Sequence, residues 1–109
     1  MAMVVYCRFD ILLVSLDPSQ GSEMQKTRPC VVVSPDEMNQ YIKTLIIAPM
    51  TSKIRNYPSR VPVTFDGQKG SIVFDQIRTI DKSRIIKKLG TLKSETASHV
   101  LKVLAEIFK

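Results

Sequence analysis

Gly21-Ser22-Glu23-Met24-Gln25-Lys26-Thr27-Arg28-Pro29 is a polar stretch between two apolar ones. Before it, Asp10 to Leu16 is rich in Ile, Leu and Val and predicts a strand. After it, Cys30-Val31-Val32-Val33 is apolar throughout, the pattern of a strand buried on both faces. Hairpin loops usually have about two to five residues, so the connection Asp17 to Thr27 is long for a simple turn. Asp17-Pro18 and Gly21 supply turn chemistry at its start. Pro29 sets the entry into the second strand and holds Arg28 extended. A carboxylate, Glu23, and a guanidinium, Arg28, thereby stand at the mouth of a core strand. That is a place suited to chemistry on a phosphate.

Further along, strand signals continue. Asp36 to Tyr41 is polar and reads as a short helical turn, with Pro35 suited to its first position. Leu45-Ile46-Ile47-Ala48 predicts another central strand, closed by Pro49. Val61, Val63 and Phe65 alternate with Pro62 and Thr64, and Pro62 makes this an edge strand. Asp66-Gly67 begins a hairpin connection into Ser71 to Phe74. Gln76 to Ile80 and Arg84 to Leu89 read as two further short strands, and Gly90 breaks the pattern. From Ser94 the apolar period lengthens to that of a helix, with Ser94 as N-cap and Glu95 in the first turn. Ala97, Val100, Leu101, Leu104, Ile107 and Phe108 fall on one broad face, which packs on the sheet or a partner. His99 lies outside that stripe and reads as a solvated surface residue. Many short strands, tight turns and one terminal helix predict a mainly β chain, a small and strongly bent antiparallel barrel.

At 109 residues the chain fits one domain, residues 1–109, large enough to bury roughly two-thirds of its unfolded surface. The net charge of +6 favours a polyanionic partner, nucleic acid above all, over a protein that merely happens to be basic. Two cysteines, Cys7 and Cys30, fit a reducing cytoplasm better than a disulfide scaffold. Met1 to Tyr6 is too short for a signal or membrane segment, so the expected location is the cytoplasm. No spacing of Cys, His or carboxylates predicts a metal site, and no cofactor is expected.

Polar chemistry gathers in two more places. Thr51-Ser52-Lys53 follows the strand at Pro49, where hydroxyls either donate to a phosphate oxygen or serve the local turn. Lys53-Ile54-Arg55-Asn56-Tyr57-Pro58-Ser59-Arg60 then interleaves cations with one aromatic. It suits single-stranded nucleic acid with a base stacked on Tyr57, or equally a solvated loop whose tyrosine packs back on the barrel. Asp75 to Arg84, followed by Lys87 and Lys88, alternates charge in a way that surface ion pairing explains. Asp75 is also placed to orient a catalytic arginine.

Taken in order, these pieces resemble the MazF/PemK family of bacterial toxins, the Kid-like endoribonucleases. The matching residues are Leu16-Asp17-Pro18, Gly21-Ser22-Glu23, Thr27-Arg28-Pro29, Ala48-Pro49 with Thr51-Ser52, and Asp75-Gln76-Ile77-Arg78-Thr79-Ile80-Asp81. Lys82-Ser83-Arg84 and Leu89-Gly90-Thr91-Leu92 continue the match. The resemblance implies an SH3-like (CcdB/PemK-type) barrel with a C-terminal α-helix, forming a homodimer. It implies ribosome-independent, sequence-specific cleavage of single-stranded mRNA, neutralised by a cognate antitoxin with an acidic C-terminal tail. By motif position, Arg28 and Thr51 correspond to the family's principal catalytic pair, with Glu23 where a carboxylate is implicated. Gln25, Lys26, Thr27, Ser52, Lys53, Arg55, Tyr57, Asp75, Gln76 and Arg78 are then the expected RNA-contacting residues. The Kid branch has a histidine where this chain has Ser22, and an arginine where it has Val73. The Kid-type acid–base assignment therefore does not carry over whole.

The chemistry stands beside that resemblance. RNA carries its own nucleophile, the 2′-OH, so catalysis requires a base, a proton for the leaving 5′ oxygen and stabilisation of phosphoryl charge. The fork of Arg28 suits the third task, and Thr51 can donate to the same oxygens. Glu23 is the candidate base, with a plain salt bridge to Arg28 or Lys26 as its competitor. No residue is a clear general acid. Two rival readings share the composition: a non-catalytic toxin of the same fold that poisons DNA gyrase (the CcdB type), and a non-catalytic nucleic-acid-binding barrel. Thr-Arg-Pro and Thr51 match the nuclease branch and argue against the first.

Overall fold

A computed structural model describes residues 5–18, 20–24 and 26–109. The apolar runs become β1 (Asp10–Ser15), β2 (Thr27–Val32), β3 (Thr44–Thr51), β4 (Arg60–Phe65), β5 (Gln68–Val73), β6 (Arg78–Asp81) and β7 (Ile85–Thr91). Helix α1 (Asp36–Tyr41) links β2 to β3, and helix α2 (Ser94–Ile107) follows β7. The strands pair antiparallel in the order β4-β5-β3-β2-β1-β7, and β6 also pairs with β3. The result is a mainly β, strongly curled half barrel with a C-terminal helix.

β3 is the hub of this sheet. One of its edges holds β2, through Cys30–Pro49, Val31–Ala48 and Val32–Ile47. The other takes β6 along Thr44–Ile47 and β5 at Met50–Thr51. A single 3-10 turn, Phe74–Gln76, carries the chain from β5 to β6 and lets both share that edge. Because side chains alternate along a strand, β2 feeds two cores. Val31 and Val33 join Ile11, Ala48, Met50, Val61, Ile72, Phe74 and Val100 on one face. Cys30 and Val32 join Leu12, Val14, Leu16, Leu45, Ile47 and Ile80 on the other. The second strand is thus buried on both faces, as its unbroken apolar run predicts.

The β4–β5 hairpin also follows its sequence. Asp66 and Gly67 both have positive φ, 53° and 77°, as a two-residue loop matching the strand twist requires. Pro62 sits on β4, at one edge of the sheet order, and pairs with Ser71.

Several boundaries differ from the sequence expectation. β3 does not stop at Pro49 but runs on to Thr51, because buried Pro49 is paired with Cys30 and the last two residues find β5. Phe74 and Gln76 belong to the 3-10 turn rather than to strands. β7 passes through Gly90 to Thr91, held by its pairing with β1. Ser94 is the first helical residue of α2, not its cap; Lys93 occupies the cap and makes no side-chain capping bond. Pro35 likewise caps α1 from just outside. Only part of the α2 stripe is covered: Ala97 and Val100 are buried, whereas Leu101, Ile107 and Phe108 are exposed. His99 is exposed, as expected. Among the described residues, no helix is long and apolar enough to cross a membrane.

Candidate active site

The β2–β3 ladder positions the site. Its last pair is Cys30 with Pro49, and Arg28 and Thr51 lie two residues beyond that pair on their own strands. Arg28 shares the Cys30 face of β2, and Thr51 shares the Pro49 face of β3, so both side chains start from the same side of the sheet. Both line a cavity of about 380 Å³ with Lys26, Thr27, Ser52 and the hairpin residues Phe65, Gln68, Lys69 and Gly70. The Thr51 hydroxyl accepts a hydrogen bond from the Lys53 backbone N–H at 3.2 Å. That turn role leaves the hydroxyl's own hydrogen to donate, so the two readings of Thr51 are compatible.

Gly70 is a requirement of this cavity. A β-carbon there would lie 2.3 Å from the Thr51 carbonyl oxygen, inside any real contact distance. Sequence reasoning missed it, and also missed the hairpin wall formed by Phe65 and Lys69. No local pattern marks Gly70, because it precedes the apolar run Ser71 to Phe74 and the backbone it approaches, at Thr51, is distant in the chain.

Glu23 lies elsewhere. It lines a second cavity of about 380 Å³ with Leu16, Ser22, Met24, Pro49, Asp75, Gln76, Ile77 and Arg78. Its carboxylate accepts the Gln20 N–H at 2.7 Å, and its own N–H donates to the Gln20 carbonyl at 3.1 Å. The structure therefore gathers the candidates into two neighbouring groups, Arg28 with Thr51 and Glu23 with Gln76 and Arg78. The two meet at Cys30. Burial pushes the Cys30 thiol up to about 12, while the Arg78 and Arg28 guanidiniums pull in the opposite direction. Both cations thus approach one buried, neutral thiol, and Cys30 is no nucleophile.

The long loop is fastened rather than loose. The Gln76 amide accepts the Met24 N–H at 2.7 Å and donates to the Ser22 carbonyl at 3.4 Å. Asp17 accepts the Lys26 N–H at 2.9 Å, and Arg84 donates to the Asp17 carbonyl at 2.6 Å. Arg78 donates to the Leu16 carbonyl at 3.4 Å. Gln76 and Arg78 thus have defined structural work beside any contact with RNA. Gln25 lies outside the described residues.

A family model described as the PemK-like, MazF-like toxin of type II toxin–antitoxin systems matches residues 7–108. The chain belongs to that family. It is 34% identical over 101 residues to the endoribonuclease MazF of Staphylococcus saprophyticus, covering 85% of this chain and 82% of that one. Among solved structures, MazF from Deinococcus radiodurans superposes with a TM-score of 0.85 at 24% identity, covering 97% of this chain and 98% of that one. A mycobacterial endoribonuclease solved with its cognate antitoxin gives a TM-score of 0.81 at 19% identity, covering 94% of each chain. These likenesses show that the curled sheet and terminal helix are the MazF fold.

In this MazF-like toxin, Asp75 is tied to Arg60, a residue the sequence did not single out. Arg60 donates through Nε and Nη2 to the two carboxylate oxygens at 2.9 and 3.2 Å, and the Ser59 hydroxyl adds a bond of 2.9 Å. The arginine Asp75 orients is therefore Arg60, and a separation of fifteen positions in the chain hid the pairing. Lys53 and Arg55 are exposed in the loop before it. Hydrogen bonding from Arg60, reinforced by Ser59 and opposed by partial burial, holds the Asp75 carboxyl below its usual 3.8. A group depressed in the folded state contributes stability above its unfolded value, and that contribution is lost as pH falls through the folded one. Asp75→Asn should accordingly lower the melting temperature at neutral pH, with the gap to the native protein closing as pH falls below about 4. Thermal melts across that range check it; a gap independent of pH contradicts it.

Proposed function

We propose that this toxin-family protein is a sequence-specific endoribonuclease that cuts single-stranded mRNA without a ribosome or a metal ion. The observation that carries the reading is the placement of Arg28 and Thr51 on facing strands of one cavity rimmed by Lys26 and Lys69. A forked guanidinium and a hydroxyl with a free hydrogen, converging from two rigid strands, suit the oxygens of a phosphoryl group gaining charge. The 2′-OH attacks the adjacent phosphorus, the bond to the 5′ oxygen breaks, and a 2′,3′-cyclic phosphate and a 5′-OH result. The proton of the 2′-OH passes to a base, and solvent supplies the one taken by the 5′ oxygen.

Glu23 is the base in this reading, and its present bonds set a condition on that role. The bond from the Gln20 N–H to the Glu23 carboxylate must open for that carboxylate to turn toward the Arg28–Thr51 cavity. Catalytic geometry often tightens only when substrate binds. Lys53 and Arg55 hold the RNA backbone beyond the cavity, with Thr27, Ser52, Gln76 and Arg78 as further contacts. A homodimer in the cytoplasm is the working form. A cognate antitoxin is the partner, and the mycobacterial fold relative solved with its own antitoxin supports this. An acidic tail lying across the cationic cavity would compete with RNA.

The test is incubation of the purified protein with a long RNA in EDTA. Discrete fragments are expected, with new 5′ ends that accept phosphate from a kinase without prior dephosphorylation. Replacing the 2′-OH at the cut by hydrogen should abolish cleavage, and efficient cutting of that substrate would rule out the mechanism. Intact RNA with inhibited DNA supercoiling would make the protein a gyrase poison instead.

Glu23→Gln separates base from turn former, since the amide keeps an acceptor for the Gln20 N–H but cannot take a proton. The expected outcome is a single-turnover rate lower by about a hundredfold or more. Full activity in the variant would leave Glu23 as a turn residue only.

A further inference from the structure

The loop that leads from Thr51 to β4 contains a feature that phosphate binding does not use. Tyr57 is 53% exposed, yet one side of its ring is covered by the Arg60 guanidinium, 5.2 Å from the ring centre. The Arg60 side chain is only 13% exposed and is held by both oxygens of Asp75. Its charge is thus already matched, so it is a poor anchor for a phosphate. What it offers is a planar surface beside an aromatic one, fixed before any ligand arrives.

Both residues line a cavity of about 300 Å³, together with Ile54, Asn56, Pro62 and Ser71. That volume is at the lower end of small-molecule sites, roughly 300–1,000 Å³. Ile54 adds an apolar wall although it is 63% exposed. Asn56 has the donors and acceptor that read the edge of a base. Arg55 and Pro58 also line the cavity, and exposed Arg55 can hold the adjoining phosphate while the stacking surfaces, the apolar wall and the carboxamide take a nucleobase.

Its position relative to Arg28 and Thr51 follows from the sheet. Ser71, which lines this cavity, is the cross-strand partner of Thr51, which lines the other, so the two cavities draw on neighbouring strands of the sheet. We propose that the Arg60-backed Tyr57 ring is a stacking subsite for one unpaired base of the RNA, within two nucleotides of the cut. The proposal rests on the endoribonuclease reading above and adds to it a particular base contact.

The test uses an RNA spanning a mapped cleavage site, made uncleavable by a 2′-deoxy residue and carrying one abasic residue at each position in turn. For the native protein, one position within two of the cut should lose roughly tenfold in affinity when made abasic. Tyr57→Leu should weaken the intact RNA by a similar factor and add nothing to that abasic substrate. Tyr57→Phe should retain affinity, because the stacking face is kept. If the losses multiply at every position, no base rests on Tyr57 and the subsite is overturned, while cleavage by both proteins leaves the nuclease reading intact.

If the native protein cuts no RNA, that reading fails and the subsite is judged by fluorescence. The chain has no tryptophan and three tyrosines. Quenching of tyrosine emission by single-stranded oligouridylate, lost in Tyr57→Leu, supports the subsite, and quenching retained in that variant overturns it. Quenching by polyglutamate alone would make the cavity a peptide site and equally overturn it.

Discussion

The pairing of β2 with β3 is the constraint on which the site depends. Its register ends with Cys30 beside Pro49, and Arg28 and Thr51 follow two residues beyond that last pair on the same face of the sheet. A slip of one residue in either strand would turn that strand's site residue to the opposite face of the sheet. The register is fixed by burial on both sides, since Val31 and Ala48 belong to one core and Cys30, Val32 and Ile47 to the other. Proline at 29 and 49 ends neither strand. The chemistry sits where the β2–β3 ladder ends, while the opposite edge of β3 pairs there with β5.

Around that opening the cations are arranged rather than scattered. Arg28 and Arg78 both approach Cys30, where burial nonetheless keeps the thiol protonated. Arg84 and Arg78 hold carbonyls of the chain entering the long loop, and Gln76 holds its far side. Arg60 is matched by Asp75. Lys26, Lys53 and Arg55 remain exposed, and they suit the long-range attraction that a chain of charge +6 exerts on a polyanion. Glu23 stands across Pro49 from the pair it would assist, in a turn with two hydrogen bonds of its own.

The strands with unbroken or alternating apolar runs were legible in the sequence, and so was the Asp66-Gly67 hairpin, because local chemistry determines them. Boundaries that tertiary pairing decides were not. β3 outruns Pro49 because β5 is there to receive it, and β7 passes Gly90 because β1 holds it. For the site, Arg28 and Thr51 were visible as motif positions, and their shared cavity follows from register. The Arg60–Asp75 pair and the demand for glycine at position 70 join residues distant in sequence, so no local pattern displays them. The separation of Glu23 from Arg28 is equally hidden, since a spacing of five positions carries no information about which cavity each side chain enters.

The central claim is that Arg28 stabilises charge present only in the transition state. It is tested most directly by single-turnover cleavage at saturating Arg28→Ala, read beside the salt-dependent binding of an uncleavable RNA. The account predicts a rate lower by about a hundredfold or more. Affinity should fall far less, and Arg28→Lys should restore little because the fork is gone. An Arg28→Ala protein that binds poorly yet cleaves at the native rate once saturated would contradict it and leave Arg28 as a phosphate anchor.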